Sequence, residues 1–408
     1  MEHLDIPKFL GLMVIMLGMA KLAGALAQRI GQPAVLGELI AGMILGPSVL
    51  GLVDPNIEVI HLLAEVGVII LLFEIGLETD LKKLLQVGGA STVVAIVGVA
   101  LPFILGYMVC WFLGLSNLVA IVAGAALTAT SVGITARVLS DLGRLQEPES
   151  QIVLGAAIID DIIGLIILTV VAGLTQGQEV TIFQVIKITG IAFGFLIITL
   201  LLGSLIVPLL FRWVGQIDLS GTLTVPAVIL AFSLAWLADQ AGSAMIMGAF
   251  TAGLLLVKIP QAHEIEVGIA HLGHFFVPLF FISVGAAVDV RVLNPANPAN
   301  RQTLLIGSLL VIAAISGKFL AGYAPFWFRG KKSVIGVGMI PRGEVGLIFA
   351  QMGLSSGVFN LRLFSAITLM VMITTFIAPP LLKFLFPAKQ PGREPPEPEG
   401  IEDLVTKP

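Results

Sequence analysis

The sequence predicts an all-α polytopic membrane protein of about thirteen transmembrane helices. Three observations carry that prediction. The 408 residues are 57% apolar and only 12% charged, with a mean hydropathy of +1.04, which leaves too little polar surface for a water-soluble fold. Apolar runs of membrane-spanning length recur almost without pause. Two of those runs are interrupted inside, at corresponding places in the two halves of the chain.

The runs lie at 6–28, 34–53, 58–77, 87–113, 117–139, 150–174, 181–212, 220–238, 241–258, 264–288, 303–328, 332–356 and 361–386. Glu2 and Asp5 precede the first, and no basic leader with a small-residue cleavage site is present, so it reads as a retained span. The second carries Glu38 and a Gly42/Gly46 pair at GxxxG spacing, which permits close helix contact within the chain or across a dimer. The third holds Glu74. The fourth contains Cys110, the only cysteine, which excludes a disulfide frame and a cysteine metal site.

The fifth run contains Gly124, Thr128, Thr130, Ser131, Gly133 and Thr135, and the sixth contains Asp160 and Asp161. The long 181–212 run reads as a linker helix between halves of about 1–174 and 220–386. The eighth and ninth sit close together around Asp239, and the tenth begins with His263, His271 and His274. The eleventh holds Lys318. The twelfth holds Gly336, Gly338, Pro341, Arg342, Gly343, Glu344 and Gly346. A membrane domain of 1–386 therefore precedes a tail, 387–408, whose Pro and Glu content reads as disordered. That tail is too short for a nucleotide-binding domain, and no GxGxxG motif or other cofactor signature appears.

Loop charges orient the spans. Arg29, Lys82, Lys83, Arg144, Arg212, Lys258, Arg329, Lys331 and Lys332 follow odd-numbered spans, and the tail adds Lys383, Lys389, Arg393 and Lys407. The other side has Lys8, Arg291, Arg301 and Arg362. This bias of roughly three to one places the N-terminus outside and the C-terminus in the cytoplasm of a prokaryotic-type inner membrane. The net charge of −4 gives no ground for a nucleic-acid partner.

Asp160 and Asp161 are the most costly residues in the chain. A carboxylate inside a bilayer costs a few kcal/mol even on the mildest scale, and a chain keeps a pair of them to bind a cation or carry a proton. Neighbours on a helix differ by about 100° in direction, so one can face a protein partner and the other a water-filled cavity. Burial and mutual repulsion both oppose ionisation of the second acid, which suits exchange of a proton for a hard cation such as Na+, Li+ or K+. Thr130 and Ser131 are the candidate companions. Lys318 lies deep in its apolar run and needs an acid, for which one member of the pair is the natural partner. Arg342 is read as a structural charge neutralising Glu344 or Glu74. The histidines read as interfacial, with a pH-sensing role as the alternative.

Gln32-Pro33-Ala34-Val35-Leu36-Gly37-Glu38 with Gly42 and Gly46-Pro47 resembles the second-span signature of the monovalent cation:proton antiporter-2 family. Phe73-Glu74-Ile75-Gly76-Leu77-Glu78 resembles its third-span motif, Thr128-Ala129-Thr130-Ser131 its crossover segment and Asp160-Asp161 its ion-binding pair. The resemblance implies a core domain carrying the ion, a dimerisation domain, a homodimer in the lipid bilayer and an elevator-like movement of the core. It implies Asp161 as the principal cation and proton carrier and Asp160 as the switching partner of Lys318. In that family an Asp-Asp pair with this lysine accompanies electrogenic exchange, and Pro341-Arg342-Gly343-Glu344 occurs in several branches without identifying the ion.

Three other readings compete. K+/H+ exchange lies within the same family. A channel or a solute symporter on the same fold has little use for both acids and a deep lysine. An intramembrane aspartyl protease needs two acids that meet across a peptide, whereas adjacent helix residues point apart and no GxGD motif is present.

Overall fold

Helices account for most of the described backbone. The computed structural model describes residues 5–175, 182–214, 223–294 and 298–388. In chain order the helices are α1 (Ile6–Arg29), α2 (Ala34–Leu45), α3 (Glu58–Glu78), α4 (Leu81–Gln86), α5 (Gly88–Phe112), α6 (Asn117–Ala126), α7 (Val132–Asp141) and α8 (Pro148–Thr175). They continue as α9 (Ile182–Val214), α10 (Thr224–Gln240), α11 (Met245–Leu256), α12 (Ala262–Ala286), α13 (Pro298–Ala321), α14 (Lys332–Gly338), α15 (Glu344–Ser355) and α16 (Leu361–Leu385), with a 3₁₀ turn at Val290–Leu293. Among the described residues, 8 helices are long and apolar enough to cross a membrane by length and composition. The tail from residue 389 onward lies outside the described residues.

The helices sort into two bundles. In the first, α3 packs on α11 and α12, α12 packs on α2, α1 packs on α2, and α10 packs on α11. In the second, α13 packs on α16 and α5, α5 packs on α8 and α6, and α14 and α15 close against α8, α16 and α6. The long α9 touches α11 on one side and α8 on the other, while α7 lies along the seam against α3. Large apolar side chains of α9, including Ile197, Leu201, Leu205 and Leu209, face outward as lipid contact requires.

Glycines set the closest approaches. A Cβ at Gly42 would collide with the carbonyl of Ile282, and one at Gly285 with the carbonyl of Leu39, so α2 and α12 meet backbone to backbone. The GxxxG of α2 is thus used within the chain.

Several predicted boundaries move. The 34–53 run is helical only to Leu45, because Gly46-Pro47 follows. The 303–328 run begins earlier, at Pro298, and ends at Ala321 ahead of Gly322 and Pro325, which puts Lys318 in the last turn of α13. The interruptions expected in the fifth and twelfth runs are present: each run is two helices, α6 with α7 and α14 with α15.

Candidate functional site

The two broken runs cross each other, and the residues of the breaks explain why. Between α6 and α7 lies Leu127-Thr128-Ala129-Thr130-Ser131, whose small and hydroxyl-bearing residues offer the backbone alternatives to the helix ladder. Thr128 Oγ1 donates back to Ala125 O at 2.8 Å, tightening the end of α6. Between α14 and α15 lies Met339-Ile340-Pro341-Arg342-Gly343, where Pro341 has no N–H to give. The freed groups then bond across the crossing. Ser131 N–H donates to Pro341 O at 2.8 Å. Thr135 Oγ1 donates to Gly338 O at 2.6 Å, and Thr130 Oγ1 to Met339 O at 3.3 Å.

Arg342 is fully buried, at 0% exposure. Its guanidinium donates to Leu127 O at 2.5 Å and to Met339 O and Ile340 O at 3.3 and 3.4 Å. Leu127 caps the C-terminus of α6 and Met339 that of α14. Both ends carry unsatisfied carbonyls and the negative pole of a helix dipole. One guanidinium, with five donors in a rigid fork, therefore answers two helix ends at once. Thr375 of α16 fixes the segment from behind through a bond from Oγ1 to Arg342 O.

This corrects the Glu74 partner expected of Arg342: its hydrogen-bond partners among the described residues are main-chain carbonyls. Glu74 sits on α3 against Gly273 of α12, and its Oε2 is buried with no hydrogen-bond partner among the described residues. The side chain of Glu344 lies outside the described residues.

The N-termini of α7 and α15 both begin at the crossing, and a carboxylate meets the backbone just ahead of α7. Thr130 N–H donates to Asp160 Oδ2 at 2.9 Å. Lys318 Nζ reaches the same oxygen at 3.1 Å, with Asp160 1% and Lys318 0% exposed. Asp160 Oδ1 has no hydrogen-bond partner among the described residues. Lys318 gets there because Gly317 lets α13 close on Pro102 of α5, and its stem then runs over Gly98. Asp161, one residue on, is part-exposed and lies within electrostatic reach of Lys318. Thr130 and Ser131 are buried, and Ser131 Oγ faces Gly343 across the crossing.

The structure thus brings Asp160, Lys318, Thr130, Ser131, Pro341 and Arg342 to one point and leaves Glu74 elsewhere. The histidines stay local to α12, where His271 Nδ1 lies 2.6 Å from Val267 O and His263 lies 3.5 Å from Glu266. Two polar residues escaped the sequence reading. Glu149 Oε1 accepts from Lys331 N–H at 2.7 Å and anchors the start of α14, and Thr375 ties down the second break. Thr135, one of the hydroxyls marked in the interrupted fifth run, ties the first break to Gly338.

Similarity to known proteins extends over nearly the whole chain. The family model described as "Sodium/hydrogen exchanger, transmembrane" matches residues 16–387. The chain is 41% identical to the high-affinity Na(+)/H(+) antiporter NhaS3 of Synechocystis sp., over 96% of this chain and 92% of that protein. It is 39% identical to the Na(+)/H(+)-K(+) antiporter GerN of Bacillus cereus, over 90% of this chain and 94% of that protein. The solved structure of the sodium proton antiporter MjNhaP1 from Methanocaldococcus jannaschii at pH 8 has a TM-score of 0.64 at 19% identity, covering 92% of this chain and 95% of that one, a likeness of fold.

Proposed function

The chain belongs to the sodium/hydrogen exchanger family of monovalent cation:proton antiporters, a family of transporters and not of enzymes, and from that membership we propose that it exchanges Na+ for protons electrogenically. The observation that carries the finer reading is the buried Asp160–Lys318 pair at the helix crossing, with Asp161 beside it and part-exposed.

In this reading Asp161 holds the cation, helped by neutral oxygens of Thr130 and Ser131, and no resident metal or cofactor is involved. The cation draws Asp160 away from Lys318, which gives up its proton. With the cation bound and Lys318 neutral, the two carboxylates and the cation leave one net negative charge. With a proton on Asp161 and another on Lys318, the site is neutral. Two protons therefore move against one cation, and one net positive charge moves inward per cycle. Membrane potential then contributes about 2.3 kcal/mol per 100 mV, and each pH unit about 1.4 kcal/mol per proton.

Thirteen spans in two inverted repeats, with α9 as the linker helix, belong to the same reading. The second bundle acts as the moving core and the first as the dimerisation domain of a homodimer. The N-terminus is outside and the C-terminus cytoplasmic, in a prokaryotic-type inner membrane. The sorting of helices into two bundles with a largely apolar seam supports an elevator-type displacement. K+ as a second cation is favoured by the similarity to an Na(+)/H(+)-K(+) antiporter.

Proteoliposomes holding a pH dye, challenged with Na+, Li+ and K+, test the proposal. Wild type alkalinises an acid-loaded lumen on cation addition, and Asp161→Asn does not. Exchange retained in that variant removes Asp161 from the carrier role, and exchange indifferent to an imposed voltage removes the two-proton stoichiometry.

A further inference from the structure

The register of the seam between the bundles can be read from its side chains. Gly133 of α7 faces Val68 and Leu71 of α3. About two turns further along both helices, Ser140 Oγ donates to Glu78 Oε2 at 2.9 Å. The two helices therefore run parallel and in step. Gln146, just beyond α7, adds a bond from its amide to the Glu78 carbonyl. Between these points apolar side chains pack across the seam, Val68, Leu71 and Leu72 among Val132, Ala136 and Leu139, with Glu74 of α3 and Arg137 of α7 the charged groups within electrostatic reach of each other there. At its end a cavity of about 570 Å³ opens, lined by Glu78, Asp80, Ser140, Gln146 and Glu266 among others.

Apolar contact is non-directional and tolerates sliding, whereas hydrogen bonds at one residue select one register. We propose that Glu78, held by Ser140 and Gln146, is a positioning latch that fixes the two bundles in the register seen and opens each time they slide. The proposal rests on the antiport reading above. Glu74 supplies a second stop. It lies one turn outward of Glu78 on the same face of α3, and its buried Oε2 has no hydrogen-bond partner among the described residues. A one-turn outward step of α7 brings Ser140 from Glu78 to Glu74, and Arg137 travels with its own-helix partner Asp141, 3.1 Å away.

The test uses the full chain in proteoliposomes, with Glu78→Cys/Ser140→Cys and Glu74→Cys/Ser140→Cys variants and a short bismethanethiosulfonate as bridge. The native Cys110 is buried. Singly substituted Ser140→Cys, treated alike, is the control for modification without bridging. Bridging the first pair is expected to slow exchange by at least about tenfold, reversed by a reductant, and the second pair is expected to bridge during turnover. A bridged first pair that exchanges at the unbridged rate overturns the latch, and a second pair that never bridges overturns the second stop. Should Glu78→Cys silence the protein unbridged, Ser140→Ala decides. A maximal rate shifted by at least about threefold at constant Na+ KM supports the latch, and an unchanged rate overturns it. Wild type without exchange would instead defeat the antiport reading itself.

Discussion

Replacing Lys318 with methionine keeps the length of the side chain and removes its charge. What is left is Asp160, 1% exposed, with Thr130 N–H still on Oδ2, its ion-pair partner gone and the Arg342 guanidinium as the remaining nearby positive charge. At the 3.1 Å separation of Nζ and Oδ2, with an effective dielectric of about 20, the lost attraction is about 5 kcal/mol. Removing Lys318 also removes the cost of burying it, and Thr130 N–H stays on Asp160, so the net loss is smaller than that attraction. Lys318→Met should destabilise the fold by roughly 3–5 kcal/mol, the range for removing one partner of a buried pair. Asp160→Asn/Lys318→Met removes both charges and keeps an oxygen for Thr130 N–H, so it should recover most of that loss. Thermal and denaturant unfolding of the detergent-solubilised protein at pH 7 measures both. If the single variant is as stable as wild type, or the double variant is worse than the single, the pair is not the energetic unit described here.

The same substitutions reach transport. Lys318→Met carries only the Asp161 proton, so any exchange it retains should be one-for-one and indifferent to an imposed potential, read by pH-dye proteoliposomes under a valinomycin clamp. Arg342→Lys cannot span the ends of α6 and α14 with one point charge, and a loss of about 2–3 kcal/mol of stability is expected. Unfolding at the wild-type midpoint would refute the shared cap. Gly42→Leu drives a side chain into the Ile282 carbonyl and should cost at least about 2 kcal/mol or abolish folded protein, read by size-exclusion chromatography and thermal shift.

How much of this was legible in the sequence depends on the kind of interaction. The helical class followed from apolar runs, and both interruptions were visible because Pro341, the glycines and the Thr-rich stretch at 128–135 are poor helix formers. Lys318 stood out because a charge in an apolar run demands an acid, and the fold places Asp160 there. Arg342 was assigned carboxylate partners because side chains are all that a sequence displays. Its actual acceptors are carbonyls of Leu127, Met339 and Ile340, which every residue has and no pattern marks. Glu78 and Ser140 are 62 residues apart, and nothing local hints that the packing of α3 on α7 brings them together. The early end of α13 was missed because hydropathy continues past Ala321 although the backbone does not.

The crossing is held largely by main chain: Leu127 O to Arg342, Thr130 N–H to Asp160 and Ser131 N–H to Pro341. In the proposed reading, scaffold and cation ligands are thereby partly separated. A library varying the side chain of Ser131 can reshape what a cation meets while these main-chain groups remain, whereas Thr130 Oγ1 also bonds Met339 O across the crossing. An architecture of this kind is evolvable: its preference for one ion over another can drift by small steps without passing through an unfolded ancestor.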